Sequence, residues 1–486
     1  MILAGLLGGI INCLSLTNLL FAFLGCFLGT IVGVLPGLGP VSAVAILFPL
    51  TTYLPPDGMV IALAAIYYGA MYGGSTTAIL MNIPGEVSSV PTALDGFALT
   101  RQGKAGAALA ISAIVSFVAG IFGTVVLSLL GPPLSTLCLK FGPPEYFGLA
   151  LFSLTAIAGL SGRSVSRGLI MAAVGMLMAS VGVDVASSLP RLTFKTTFLL
   201  QGFDIVPVMI GLFGIGEVLK ELEEGTSGIY QGKMGRLMPD RKELGSGMKA
   251  GFRATLIAFT LGLFPGMLPS ITSFLCYSFE RQRSKHPERF GRGAIEGVAA
   301  PEAANNAAAM AGFIPLLTLG IPTGPTMALI LAALIVYGLV PGPTLFTEHA
   351  PFTWTIIGSF FVANFILLIL NLPFVGLWAK IAAIPYKLLA PIILAICIPG
   401  AYSIRNNLFD VWVCLLFGLI GWFLSKRNWP VAPLVLGFIL GPMAETSLRQ
   451  SLAISPIIFI HRPIFFGFVV LTVFSVWVSS RLRKFV

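Results

Sequence analysis

Polar and charged positions fall in clusters along the chain, and the apolar runs between them are long enough to cross a hydrocarbon core, which takes about 20 residues of helix. No Lys or Arg precedes Arg101, and the densest basic clusters lie at 217–253 (Lys220, Lys233, Arg236, Arg241, Lys242, Lys249, Arg253) and 280–296 (Arg281, Arg283, Lys285, Arg289, Arg292). Basic loops mark the cytoplasmic side of a membrane protein. The single apolar stretch Ala254 to Phe279 between those clusters is interrupted at Phe264-Pro265-Gly266-Met267-Leu268-Pro269. Each arm has about 11 residues, roughly 16 Å of helix or half a membrane. Such a stretch reads as a re-entrant helical hairpin; the plain alternative is one kinked span with positive charge at both ends.

The same device stands in the N-terminal half, Leu20 to Tyr53, broken at Val34-Leu35-Pro36-Gly37-Leu38-Gly39-Pro40. Matching Gly37 to Gly266, an offset of 229 residues, also matches Gly25, Gly29 and Gly33 to Ala254, Ala258 and Gly262. The first hairpin has no basic flank and reads as entering from the outside. Each hairpin is followed by a second interrupted segment. One starts at Met59, breaks at Asn82-Ile83-Pro84-Gly85-Glu86 and emerges at Arg101; the other, Ala307 to Leu319, breaks at Gly320-Ile321-Pro322-Thr323-Gly324-Pro325 and emerges near His349. The expected fold is an all-α polytopic integral membrane protein of two inverted-topology repeats. Each repeat holds a re-entrant helical hairpin and a Pro/Gly-broken transmembrane helix. Residues 1–216 form the first repeat, 217–253 a cytoplasmic basic loop and 254–486 the second repeat. Further spans are expected near 106–131, 146–160, 168–188, 205–216, 352–378, 388–399, 408–424, 430–446 and 463–480, with a cytoplasmic C-terminus at Arg481 to Lys484. The first 20 residues lack the basic region of a cleavable signal peptide and are expected to stay as a short interfacial or spanning helix.

Composition settles the class. Of 486 residues, 56% are hydrophobic and 10% charged, against roughly 25% charged in a soluble domain. The net charge of +10 is what basic cytoplasmic loops produce, so no nucleic-acid partner is expected; the surroundings are a lipid bilayer. Six scattered cysteines and three histidines offer neither a disulfide framework nor a transition-metal site. No phosphate-binding G-x-x-x-x-G-K loop, H-E-x-x-H or G-x-S-x-G is present, so neither ATP-driven transport nor hydrolysis is supported, and the chain is not expected to be an enzyme.

The breaks carry the candidate chemistry. A helix that stops within a membrane exposes N–H groups at an N-terminus, which suit an anion, or carbonyls at a C-terminus, which suit Na+. Inverted repeats with broken segments point to a secondary transporter with its site at mid-depth. The candidate substrate-binding residues are Pro36, Gly37, Leu38 and Gly39; Ser75, Thr76, Thr77, Asn82, Pro84 and Gly85; Pro265, Gly266 and Ser270; and Asn305, Asn306, Pro322 and Thr323. For a coupling ion, Na+ or H+, the candidates are Glu302, Asn306, Thr318 and Gly320; no other cofactor is expected. For each hydroxyl the alternative is helix packing. Glu302 is either an intramembrane functional carboxylate or part of an N-terminal cap at the interface, with Pro301 in the first turn. Glu86 and Asp95 are alternatively loop or capping residues. A channel remains the other reading, since re-entrant hairpins also build selectivity filters.

The segments Gly33 to Pro40, Tyr72 to Gly85, Ala93 to Gly96 with Arg101 to Gly106, Pro301 to Ala307, Ile314 to Pro322 and Gly338 to Phe346 resemble the large membrane subunit of the tripartite tricarboxylate transporters. The resemblance implies a bacterial inner-membrane permease that works by alternating access with a small membrane subunit and a periplasmic solute-binding protein. It also implies that an ion gradient, Na+, drives import of citrate or a related carboxylate. Two residues depart from the family pattern: Thr323 stands where a glycine is usual, and Glu86 where a small or polar residue is usual. A carboxylate at Glu86 would repel an anion, so either it points away or the substrate is not a typical tricarboxylate.

Overall fold

The computed structural model describes residues 2–35, 37–160, 164–184, 187–224, 235–382, 384 and 386–482. Pro36, Lys233 and the basic tail past Leu482 therefore lie outside the described residues. The chain opens with α1 (Ile2–Cys13), α2 (Leu16–Val34), α3 (Pro40–Thr51), α4 (Pro56–Met81) and α5 (Val90–Arg101). It continues through α6 (Ala105–Cys138), α7 (Pro143–Leu160), α8 (Val165–Ala179), α9 (Ile205–Met209) and α10 (Gly216–Glu224). Next come α11 (Arg241–Gly262), α12 (Pro269–Arg283), α13 (Ile295–Leu319), α14 (Pro325–Val336) and α15 (Pro343–Thr347). The last are α16 (Ala350–Asn371), α17 (Val375–Ala382), α18 (Tyr386–Arg405), α19 (Leu408–Lys426), α20 (Val431–Ile454) and α21 (Pro463–Leu482). Among the described residues, seven helices are long and apolar enough to cross a membrane: α2, α4, α6, α16, α18, α19 and α20. The chain is an all-α polytopic membrane protein.

Local chemistry sets the interruptions. Helices α3, α4, α12 and α14 each begin with proline in the first turn, where its missing N–H costs nothing because that group has no intrahelical partner. Helix α4 ends on Asn82 (φ 58°) and α13 on Gly320 (φ 70°), both left-handed caps that turn the chain out of the helix. At the two hairpin tips Gly37 and Gly266 take φ of 79° and 86°, a conformation that only glycine adopts without strain. The stripe of small residues is a packing surface: a Cβ on Gly25, Gly29 or Gly33 of α2 would overlap the α4 backbone at Ala62, Ile66 or Ala70. Its counterpart in α11 presses Gly262 on α13, where a Cβ would come within 2.7 Å of Ala308 Cα. Small residues let helix backbones meet in this way.

The centre is formed by α4 and α13. Helix α4 is buried from Gly58 to Met81, and α13 is buried along almost its whole length among α4, α5, α6, α11 and α12. At the entry to α11, Asp240 accepts hydrogen bonds from the Lys242 and Glu243 amides, each at 2.8 Å. The Glu243 bond, and then that from Lys242, holds the Asp240 carboxyl below the usual carboxylate range. All six cysteines are free and buried.

Several boundaries differ from the sequence expectation. Helix α13 starts at Ile295 rather than Ala307, so Pro301 and Glu302 lie well inside it and the capping reading of Glu302 is overturned. A cap is supplied instead by Asp95, whose Oδ1 accepts from the Gly293 and Ala294 amides, both at 2.8 Å. The span expected at 168–188 ends as helix at Ala179; Gly182–Val183 and Pro190–Arg191 then pair as a two-stranded antiparallel ribbon. The span near 205–216 runs on: α9 passes through a π-helical segment, Ile210–Ile215, into α10, which reaches Glu224 in the segment read as cytoplasmic loop.

Candidate functional site

A cavity of about 550 Å³ is lined by residues from all four interruptions: Gly37 and Gly39 from the first hairpin, Pro84 and Gly85 after α4, Ser270 from the second hairpin, and Thr323 after α13. The helices that leave the interruptions start at its wall. Pro40 of α3, Val90 of α5, Pro269 of α12 and Pro325 of α14 are first helical residues and all line it. Four N-terminal ends, each carrying roughly half a positive charge, therefore face one space. The second hairpin is tied to the second break by the Gly266 amide, which donates to the Thr323 carbonyl at 3.2 Å.

The remaining predicted residues stand around this cavity rather than on its surface. Leu38 is fully buried, Pro265, Gly266 and Pro322 are buried, and Pro36 lies outside the described residues. Ser75, Thr76 and Thr77 turn their hydroxyls back on α4, donating to the carbonyls of Met71, Tyr72 and Gly74 at 3.1–3.2 Å. Asn82 is exposed and serves as the α4 cap. Thr318 donates to the Ile314 carbonyl at 2.7 Å, and Gly320 ends α13. Asn306 Nδ2 donates to the Glu302 carbonyl at 3.2 Å, while Asn305 Nδ2 donates to Glu86 Oε1 at 2.9 Å. Glu302 lies between helices and accepts from Thr92 of α5 at 2.6 Å and Ser112 of α6 at 2.9 Å.

Glu86 does not point away: it lines the cavity, held by Asn305 across a separation of 219 residues. Three more cavity residues, Glu217, Lys220 and Glu221, come from α10, and the sequence reading left them in a loop. Their spacing of three and four places them on one helix face, the signal that would have found them. Lys220 Nζ pairs with Glu217 Oε1 at 2.8 Å. Side-chain charge on the wall is thus three carboxylates against one ammonium, while the four helix ends supply an opposing field of similar size.

Interrupted helices meeting around one cavity, within a bundle of membrane-long apolar helices, define an all-helical polytopic membrane protein. The chain belongs to the tripartite tricarboxylate transporter TctA family, whose family model matches residues 19–436. It is therefore a membrane component of a transporter and not an enzyme. Two relatives come from Agrobacterium vitis. An uncharacterized 52.8 kDa protein in the TAR-I ttuC' 3' region is 43% identical over 460 residues, covering 94% of this chain and 92% of the relative. An uncharacterized protein in the TAR-II ttuC' 3' region is 49% identical over 207 residues, 42% of this chain and 86% of the relative. No solved structure matches the chain.

Proposed function

We propose that this chain is the permease of a binding-protein-dependent secondary transporter that imports citrate or a related carboxylate. A Na+ gradient drives import, and the substrate is held where the four interruptions meet. The observation that carries the reading is the set of four helix N-termini, α3, α5, α12 and α14, on one cavity, since such ends bind carboxylates through free backbone amides. The carboxylates of Glu86, Glu217 and Glu221 offset that field, so a substrate with several negative charges would need a cation beside it; this supports ion-coupled symport. In this reading residues 1–216 and 254–486 are inverted repeats with re-entrant hairpins, joined by a cytoplasmic segment, 217–253. The chain lies in the bacterial inner membrane with its C-terminus inside. Alternating access would move the hairpin-bearing part against a scaffold of the other helices, with a small membrane subunit and a periplasmic solute-binding protein as partners.

Uptake of labelled citrate and other carboxylates into proteoliposomes tests it, with each partner present or absent and with or without a Na+ gradient. Saturable uptake that requires the binding protein and the gradient is expected. Flux that needs neither would replace the transporter reading with a channel.

A further inference from the structure

Buried polar atoms without partners gather at one place in the fold. Asn305 Oδ1, Asn306 Oδ1 and Tyr72 Oη make no hydrogen bond, and Ser88 Oγ, whose hydroxyl is directed at Glu86, keeps open lone pairs; their residues are all less than 5% exposed. They belong to α4, α13 and the short 3-10 turn Val87–Ser89 after the first break, three elements in mutual contact. A buried polar atom left unpaired is costly, so native folds normally assign such atoms a partner. Here four are left open together.

Two carboxylates border this cluster, Glu86 bonded to Asn305 and Glu302 one turn before Asn306 on α13, and among the described residues neither forms an ion pair with Lys, Arg or His. They differ in how they are satisfied. Glu302 receives the hydroxyls of Thr92 and Ser112. Glu86 receives the Asn305 amide and faces the Ser88 hydroxyl, and the open Asn305 Oδ1 belongs to the same amide group. The three parts also sit in order of depth: Glu86 and Ser88 line the cavity, while Asn305 is fully buried behind them. Oxygen lone pairs with no donor to fill them, grouped beside a carboxylate that no cationic side chain neutralises, are what a hard cation needs in place of its hydration shell. A protein donor would instead have filled the open lone pairs.

We propose that Glu86, Ser88 and Asn305 form a binding site for a dehydrated monovalent cation of the size of Na+, set in the cavity wall between the first break and α13. The carboxylate supplies the charge and Asn305 Oδ1 and Ser88 Oγ supply neutral ligands. Asn306 and Tyr72 lie on the Glu302 side of the same cluster and are not among the ligands. That this cation is the coupling ion rests on the transport reading above; that it binds does not.

The test measures binding without flux. The purified full chain is heated in detergent while NaCl replaces choline chloride at constant ionic strength, with KCl as a size control. A saturable rise in melting temperature is expected with Na+, and K+ should need a higher concentration. Glu86→Gln and Asn305→Leu should raise the Na+ midpoint by about tenfold or more, the loss of one principal ligand. Ser88→Ala, a milder change that serves if the other two fail to fold, should raise it by about threefold. Glu223→Gln, on the far face of α10, should leave it unchanged. A melting temperature indifferent to Na+, an equal response to K+, or an unchanged midpoint in the folded variants would each overturn the site and leave the open atoms to ordered water. Absence of Na+ binding in the unaltered chain with gradient-driven uptake retained would refute the site alone; binding without uptake would refute the transport reading alone.

Discussion

Asp95 illustrates how much one buried side chain does in this molecule. It is fully buried in α5, yet it accepts from the amides of Gly293 and Ala294 and from the Tyr277 hydroxyl at 2.9 Å. It thereby joins α5 and α12 to the start of α13. Asp95→Ala leaves three donors unpaired and should destabilise the fold by about 3 kcal/mol, whereas Asp95→Asn, which keeps an acceptor, should cost about half as much; thermal melting in detergent measures both. At the hairpin tips, Gly37→Leu and Gly266→Leu should each abolish uptake while the protein still inserts, which uptake alongside membrane yield checks. A Cβ at 37 would overlap the Glu221 side chain, and one at 266 would come within 2.9 Å of the Ala156 carbonyl; both also force a side chain into positive φ. These glycines were legible because a Pro-Gly turn is a local signal. The roles of Asp95 and Glu86 were not, because their partners lie about 200 residues away and no spacing rule reaches that far.

Among elements, the interruptions were legible and the helix starts were not. Proline and glycine act on their own few residues, so the ends of α2, α4, α11 and α13 fall where the Pro/Gly runs begin. Starts were misplaced wherever polarity was taken for exposure. Helix α13 begins 12 residues earlier than the apolar run suggested because its first turns bury alanines and Glu302 against α5 and α6. The charges of α10 had pointed to water, but Glu217, Lys220 and Glu221 turn to the cavity while Glu223 accepts from Trp422 of α19 at 2.9 Å. The proposed entry of the hairpins from opposite faces makes a separate prediction. Single cysteines at Tyr53, after α3, and at His286, after α12, should react with an impermeant maleimide from opposite sides of the membrane, as labelling of right-side-out and inverted vesicles will record.

For the whole molecule, hydrophobic runs and composition sufficed for an all-helical membrane protein, and motifs in order sufficed for the family. The meeting of four breaks on one cavity is a property of packing between the halves, invisible to a reading that walks the chain from one end. The halves are interleaved: α13 is enclosed by α4, α5 and α6 from the first and by α11 and α12 from the second. This bears on how the protein is made. Helix α4 is buried on all sides in the finished fold, yet roughly 210 residues separate its end from α13, or between about 10 and 40 s of synthesis. During that interval α2 already covers Gly69 and Gly73, while the faces of α4 that will meet α13, α14 and α16 are open to lipid or the insertion machinery. Biogenesis thus depends on retention of an unfinished helix, and the first half of the chain is a client of the translocon before it is part of a transporter.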